Sequence, residues 1–97
     1  MTIKVIGLIQ VKDLAAFEEY RSQVGDTVAL YQGKITSRGV LNTFLWNELE
    51  CESFSAFVEL EFPDLEHSQS WANSPEYQQL LAVRSKAMKL TLFSVTT

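Results

Sequence analysis

The sequence predicts a single α+β domain in which strands and helices follow the order βαββαβ. Two observations support this order. Four segments rich in β-branched and aromatic residues have strand-like patterns, and apolar residues at helical spacing separate the first from the second and the third from the fourth. Because 97 residues provide one hydrophobic core, residues 1–97 are expected to form one domain.

The first third of the chain is predicted to contain a buried strand and a helix. Residues 3–11 (IKVIGLIQV) are almost continuously apolar, which is typical of a strand covered on both faces. Asp13 is the expected N-cap of the helix. Gly25-Asp26 is expected to break and recap this helix, and Gly33 is expected to end it.

The middle of the chain is predicted to contain two strands joined by a long connection. Residues 34–40 (KITSRGV) are expected to form the second strand. Residues 41–53 are expected to form an extended arm or a hairpin around Asn47-Glu48. Apolar residues alternate along 54–62 (FSAFVELEF), which predicts a third strand with one apolar face.

Two helix starts and a final strand are predicted in the last third of the chain. The Pro-Asp pair at 63–64 opens a helix that extends through Trp71. The Ser-Pro-Glu motif at 74–76 combines an N-cap, a proline at the first helical position and an acidic residue at the positive end of the helix dipole. Residues 90–95 (LTLFSV) are the expected last strand. One helical stripe precedes that strand: Tyr77, Leu80, Leu81, Arg84 and Met88.

This order of elements leaves one face of the sheet without helices. Both strand–helix–strand connections are expected to be right-handed, which places all the helices on the same face. The first strand is apolar on both faces, and Phe57 and Phe93 are candidates for the uncovered face. Because a monomer rarely exposes such a continuous apolar surface, we expect a homodimer in which two sheets pack face to face.

Charge and composition argue against several classes of partner. The net charge is −4 and no cluster of Lys and Arg is present, which disfavours nucleic acid. The apolar runs are too short to cross a membrane, and the N-terminus lacks the pattern of a signal peptide. The lone Cys51 fits a reducing compartment. We therefore expect a cytoplasmic protein that binds neither nucleic acid nor membranes.

One segment carries a resemblance to a known family. The stretch from Glu61 to Ala87 (EFPDLEHSQSWANSPEYQQLLAVRSKA) resembles the motif of a bacterial family known as a domain of unknown function within the dimeric α+β barrel superfamily. The shared features are Glu-Phe-Pro, an aromatic residue just before Ser-Pro-Glu-Tyr, and an arginine shortly after it. The resemblance extends more weakly to residues 11–13, to Tyr20 and to residues 38–39, after which this chain lacks the glycines that the family usually has.

The resemblance implies a ferredoxin-like subunit with an antiparallel sheet and helices on one face, which dimerises through its sheet. It implies no established chemistry, although the superfamily includes cofactor-free monooxygenases and lactone isomerases. The sequence itself contains no phosphate-binding glycine-rich loop and no Gly-x-Ser-x-Gly motif. No cofactor is therefore expected.

The third strand supplies one group of candidate polar residues. Glu59 and Glu61 share a face, and a regular hairpin would place Lys34, Thr36 and Arg38 on the same face of the neighbouring strand. A shift of one residue would reverse this arrangement. Such a group can bind a polar ligand or transfer a proton, and it can equally form ordinary cross-strand pairs. Glu61 and Arg38, which match the family, are candidate catalytic residues.

The predicted helices supply the other candidates. His67 lies one helical turn before Trp71 and is a candidate acid–base residue, although no His or Cys at coordinating spacing supports a metal site. Arg84 interrupts an apolar stripe and needs a partner, which is either a ligand anion or a structural group. Four aromatic residues are candidate walls of a ligand pocket, with core packing as the alternative: Trp71, Tyr77, Tyr31 and Tyr20.

Two functional hypotheses follow from these candidates. In the first, the protein binds or transforms a small organic metabolite without a cofactor, in a pocket between sheet and helices. Trp71 and Tyr77 would form the walls of this pocket. Its polar groups would come from one or more of four residues: His67, Arg38, Glu61 or Arg84. In the second hypothesis, the protein is a non-catalytic dimerisation or protein-interaction module.

Overall fold

The computed structural model describes residues 2–97. One four-stranded sheet with the strand order β2-β3-β1-β4 carries all the helices on one face, and every pair of neighbouring strands is antiparallel. The βαββαβ order and the α+β class predicted from the sequence are therefore confirmed. The elements are β1 (Ile3–Val11), α1 (Leu14–Leu30), β2 (Lys34–Val40), β3 (Ala56–Phe62), α2 (Leu65–Ala72), α3 (Pro75–Gln78), α4 (Leu81–Ala87) and β4 (Met88–Thr96).

The hydrophobic core lies between the helices and the face of the sheet that they cover. Alternate residues of β1 and β3 point into it, because successive side chains of a strand point to opposite faces. Four large side chains of the core are fully buried. Three belong to helices and one to β3: Trp71, Tyr77, Val28 and Phe62.

Helix α1 runs without interruption from Leu14 to Leu30, so the predicted break at Gly25-Asp26 is wrong. Asp13 caps the helix as expected, since its carboxylate accepts a hydrogen bond from the amide of Ala16 at 2.9 Å. The buried stripe continues past Gly25 to Thr27 and Val28. Packing of this stripe on the sheet outweighs the cost of about 1 kcal/mol that a glycine brings to a helix interior.

The end of α1 also differs from the prediction in its details. Gln32, with φ of 63°, is the residue in the left-handed conformation, and Gly33 is not. Gly33 is required for a different reason. A Cβ atom at this position would lie 2.5 Å from Cε1 of Phe62 and 2.8 Å from Cγ1 of Val28. The glycine therefore allows the chain to pass closely over the core.

The predicted helical stripe from Tyr77 to Met88 is divided in the structure. Helix α3 ends at Gln78, α4 begins at Leu81, and Met88 is the first residue of β4 rather than part of a helix. Met88 is extended and pairs with Val11 of β1. Periodicity alone did not detect this change, because an apolar residue at that spacing suits either element.

The connection between β2 and β3, residues 41–55, has no regular secondary structure and turns at Asn47. The Asn47 side chain bonds both the amide and the carbonyl of Cys51, at 2.9 and 3.0 Å. The Phe54 ring packs edge-on against that of Phe44, so Phe54 belongs to this connection and not to β3 as predicted. We call residues 41–55 the arm. Leu45, Trp46 and Leu49 are 85–90% exposed at its tip.

No helix within residues 2–97 is both long enough and apolar enough to cross a membrane.

Candidate functional site

A β-bulge in strand β2 decides which face each candidate residue occupies. Lys34 pairs with Glu61, but the register shifts between Ile35 and Ser37, so that Arg38 pairs with Val58. Because paired residues share a face of the sheet, Arg38 lies on the helix-covered face. The expectation that Arg38 would join the glutamates is therefore wrong, and the extra residue of the bulge is the physical reason.

The uncovered side of the sheet, which we call the open face, carries Glu59 and Glu61. The Nζ atom of Lys4 lies 2.9 Å from Oε2 of Glu61 and 3.9 Å from Oε2 of Glu59. The hydroxyl of Thr36 donates to Oε2 of Glu59 at 2.6 Å. The hydrogen bond from Lys4 lowers the pKa of Glu61 below its usual value, and the same contact raises the pKa of Lys4. These contacts form a partly exposed group of cross-strand pairs.

Apolar residues occupy the centre of the open face. Phe57 pairs with Leu8, and Phe93 pairs with Ile6, as the sequence suggested for both phenylalanines. Phe93 remains 43% exposed and Val95 40% exposed. This patch lies next to the charged group around Lys4.

A cleft opens on the opposite side, between α1 and the covered faces of β2 and β3. Its volume is about 280 Å³, and its walls are mainly apolar. Tyr20, Val24 and Leu60 form deep parts of the wall, where each is less than one-tenth exposed. The wall also includes Ile9, Phe17, Ile35, Ala56 and Val58. We refer to this space as the cleft.

Two arginines line the cleft, and no carboxylate does. Arg38 is exposed and forms no hydrogen bond or ion pair with another side chain in residues 2–97. Arg21 lies 3.3 Å from a carboxylate oxygen of Glu18 and stacks over the Phe17 ring at 5.4 Å. The cleft therefore combines apolar walls with positive charge.

Trp71 and Tyr77 are part of the core and not of this cleft. Each is 2% exposed, and their ring centroids lie 4.6 Å apart. The indole Nε1 of Trp71 donates to the hydroxyl of Thr27 at 3.0 Å. Both side chains are thus packed and hydrogen-bonded within the described protein.

Arg84 has a structural partner inside the protein. Its Nη1 donates to the Tyr77 hydroxyl at 3.0 Å, and that hydroxyl lies 2.8 Å from the hydroxyl of Tyr20. Burial raises the pKa of Tyr20 well above its ordinary value. Tyr20 thus contributes its ring to the cleft wall, while its hydroxyl belongs to a buried chain of hydrogen bonds.

The remaining two candidates, His67 and Tyr31, lie at helix ends. Asp64 caps α2 and accepts hydrogen bonds from the backbone amide of His67 at 2.8 Å and from its ring Nδ1 at 2.7 Å. The backbone bond lowers the pKa of Asp64. The hydroxyl of Tyr31 donates to Oε1 of Glu76 at 2.7 Å, which raises the pKa of Tyr31. Neither His67 nor Tyr31 lines the cleft.

A second, smaller groove of about 160 Å³ lies between α2 and the strands β1 and β4. Trp71 reaches this groove beside Ser68 and Leu92. Within residues 2–97, no three His, Cys, Asp or Glu side chains are grouped closely enough to hold a metal ion.

The structure separates the residues that the sequence had grouped. Arg38 lines the cleft, Glu61 lies on the open face, and His67 lies at the start of α2. Catalytic roles for these three residues, and ligand contacts by the others, stay predictions. The others are Trp71, Tyr77, Arg84 and Tyr31.

Sequence reasoning missed most of the cleft wall. Among the α1 residues of the wall, the sequence makes only Tyr20 a candidate pocket residue. Helical spacing places Phe17 and Val24 on the apolar stripe of a predicted helix, and nothing in the sequence marks Arg21 as a cleft residue. Helical spacing does predict that these residues face one side of α1, but it does not predict that a space remains beneath them.

The antiparallel sheet, the helices on one face and the cleft beneath α1 define a ferredoxin-like α+β protein. The model of the family described as a domain of unknown function (DUF1330) matches residues 4–97, and the chain therefore belongs to this family. The resemblance noted in the sequence is thereby confirmed. None of the curated proteins matches the chain significantly.

Solved structures with little sequence identity have the same fold. A protein of unknown function from Rhodopseudomonas palustris has a TM-score of 0.81 and 16% identity, covering 99% of this chain and 82% of its own. SnoaB, a cofactor-independent oxygenase from Streptomyces nogalater, has a TM-score of 0.72 and 11% identity, covering 99% and 92%. A dimeric ferredoxin-like protein of unknown function from Thermobifida fusca has a TM-score of 0.68 and 14% identity, covering 100% and 92%.

Proposed function

We propose that this protein binds a small, largely apolar organic molecule in the cleft between α1 and strands β2 and β3. The cleft itself is the observation that carries the proposal. Its volume of about 280 Å³ is close to the lower end, roughly 300 Å³, of common ligand pockets. Like such pockets, it combines apolar and aromatic walls with a few polar groups.

The residues that line the cleft favour binding over acid–base catalysis. The titratable side chains among them are those of Tyr20, Arg21 and Arg38. The Tyr20 hydroxyl is bonded to Tyr77, and its raised pKa keeps it protonated near neutral pH. The guanidinium groups of the two arginines offer hydrogen-bond donors and no acceptor. None of the three can accept a proton, so any transformation would depend on the reactivity of the ligand itself.

A cofactor-independent oxygenase with this fold supports a role for small organic molecules. SnoaB is similar over almost the whole chain, although its 11% identity assigns no chemistry to this protein. We propose on this basis that the protein binds or transforms this molecule without a cofactor.

The exposed thiol of Cys51 agrees with a cytoplasmic location, where thiols stay reduced.

A cleft-filling variant tests the proposal. Ala56→Trp places an indole in the wall of the cleft, whereas Ala82→Trp adds the same side chain at an exposed position of α4. A metabolite panel is screened by the shift in melting temperature. We expect compounds that stabilise the wild type and Ala82→Trp, but not Ala56→Trp. A panel that stabilises none of the proteins, or all three equally, would contradict the proposal.

The open face supports a second candidate function, which is homodimerisation. Ile6, Leu8, Phe57 and Phe93 form an apolar patch that the helices do not cover. A second copy of the same face would bury this patch, and two-fold symmetry would bring identical patches together. The Thermobifida fusca protein of the same fold is described as dimeric. A protein whose function is assembly alone would need this face and not the cleft.

Sedimentation velocity tests the proposed dimer. Phe93→Glu places a charge in the apolar patch, and Leu30→Glu makes the same type of change at an exposed position at the end of α1. We expect the wild type and Leu30→Glu to sediment as dimers and Phe93→Glu to sediment as a monomer. Circular dichroism should show that Phe93→Glu is still folded. A monomeric wild type, or a dimeric Phe93→Glu, would eliminate this interface.

A further inference from the structure

The β-bulge of β2 adds the positive charge of Arg38 to the cleft. In a regular continuation of the pairing between Lys34 and Glu61, Arg38 would lie opposite Phe57 on the open face, beside two glutamates. The register shift instead pairs Arg38 with Val58, on the covered face. One inserted residue thus moves the arginine from the face that carries the two glutamates to the cleft.

The charges around the cleft are unbalanced. The chain carries a net charge of −4, yet no Asp or Glu lines the cleft. Arg21 already has Glu18 as a partner, whereas Arg38 forms no side-chain hydrogen bond or ion pair within residues 2–97. A guanidinium group offers a fork of donors that matches a carboxylate. The donors of Arg38 are available to such a group.

We propose that the ligand of the cleft is a carboxylate, with an apolar body against Phe17 and Val24 and its acid group bound by Arg38. This inference rests on the proposed binding function of the cleft. The apolar walls alone would accept neutral molecules as readily as acids. Arg38 is the feature that makes the site selective for acids.

Nuclear magnetic resonance titration of the full chain tests the inference. The probes are three acids, each paired with its uncharged amide: 2-naphthoate, 3-phenylpropionate and octanoate. Amide resonances of cleft residues report binding, and their titration gives the affinity. We expect at least one acid to bind about tenfold more tightly than its amide, because the amide is uncharged and its NH2 group cannot accept a hydrogen bond from the guanidinium.

Two variants make the test specific to Arg38. Arg38→Gln removes the guanidinium from the cleft, and Lys34→Gln removes one positive charge from the open face of the same strand. We expect Arg38→Gln to weaken the acid about tenfold and leave its amide unchanged, and Lys34→Gln to change neither. Because Arg38 is exposed, its substitution should leave the fold intact, which melting temperatures will verify.

The possible results distinguish the two proposals. If acids and amides perturb the cleft equally and Arg38→Gln affects neither, the binding function stands and the selectivity for acids is overturned. If no probe perturbs cleft resonances, the binding function fails and the inference fails with it. Equal weakening by Arg38→Gln and Lys34→Gln would show a general charge effect and would overturn the role of Arg38.

Discussion

The hydroxyl oxygens of Tyr20 and Tyr77 lie 2.8 Å apart in the interior, although the two residues are 57 positions apart in the sequence. Arg84 donates to the Tyr77 hydroxyl at 3.0 Å and so extends the contact into a chain of three side chains. This chain connects α1, α3 and α4 behind the cleft. It supplies the polar partner that Arg84 needs in its apolar surroundings.

Tyr77→Phe should destabilise the protein by about 1–3 kcal/mol, because it leaves the buried Tyr20 hydroxyl and the Arg84 guanidinium without a shared partner. Urea denaturation measures this loss. Tyr31→Phe, which removes a hydroxyl bonded to Glu76 nearer the surface, is the control and should cost less. An equal cost for the two variants would contradict a special role for the buried chain.

The stability of the wild type should fall as the pH rises above about 10. Burial raises the pKa of Tyr20 in the folded state, so above the ordinary tyrosine pKa the unfolded chain loses a proton that the folded chain keeps. That difference favours unfolding at alkaline pH. Tyr20→Phe should flatten this part of the curve, as measured by denaturation at several pH values. An unchanged slope would contradict the prediction.

The acid side of the stability curve should depend on Glu61. Its hydrogen bond from Lys4 lowers its pKa in the folded state, so the bond stabilises the protein above the ordinary value of 4.5 and is lost as the pH falls through the lowered pKa. Glu61→Gln should therefore reduce the loss of stability on acidification. Glu48→Gln, in the exposed arm, is the control and should follow the wild type.

Two glycines of the same region should respond in opposite ways to alanine. Gly33→Ala should destabilise by about 1–3 kcal/mol, since its Cβ would lie 2.5 Å from the buried Phe62 ring. Gly25→Ala should stabilise by up to about 1 kcal/mol, because the site lies inside α1 and its nearest contact, Ile35, is 3.7 Å away. Thermal denaturation compares both with the wild type. Destabilisation by Gly25→Ala would contradict the uninterrupted helix.

Local signals in the sequence predicted most of the secondary structure. Asp13, Asp64 and Ser74 cap the helices that follow them, through hydrogen bonds to amides three residues ahead. These contacts are short-range, so their pattern is visible in the chain itself. The alternation along β3 also predicted the faces of its residues, because side-chain direction follows the strand period. The predicted break at Gly25 was wrong, because packing of α1 on the sheet outweighs the low helix propensity of glycine.

The location of the candidate site was decided by the tertiary structure. Patterns along the chain predicted the βαββαβ order, the family motif and the apolar character of both faces of β1. They did not determine that Arg38 would face the cleft and Glu61 the opposite side. Side chains of a strand alternate between its two faces, so one extra residue in β2 reverses the face of every residue after it. Only the pairing of β2 with β3 decides where the extra residue is inserted.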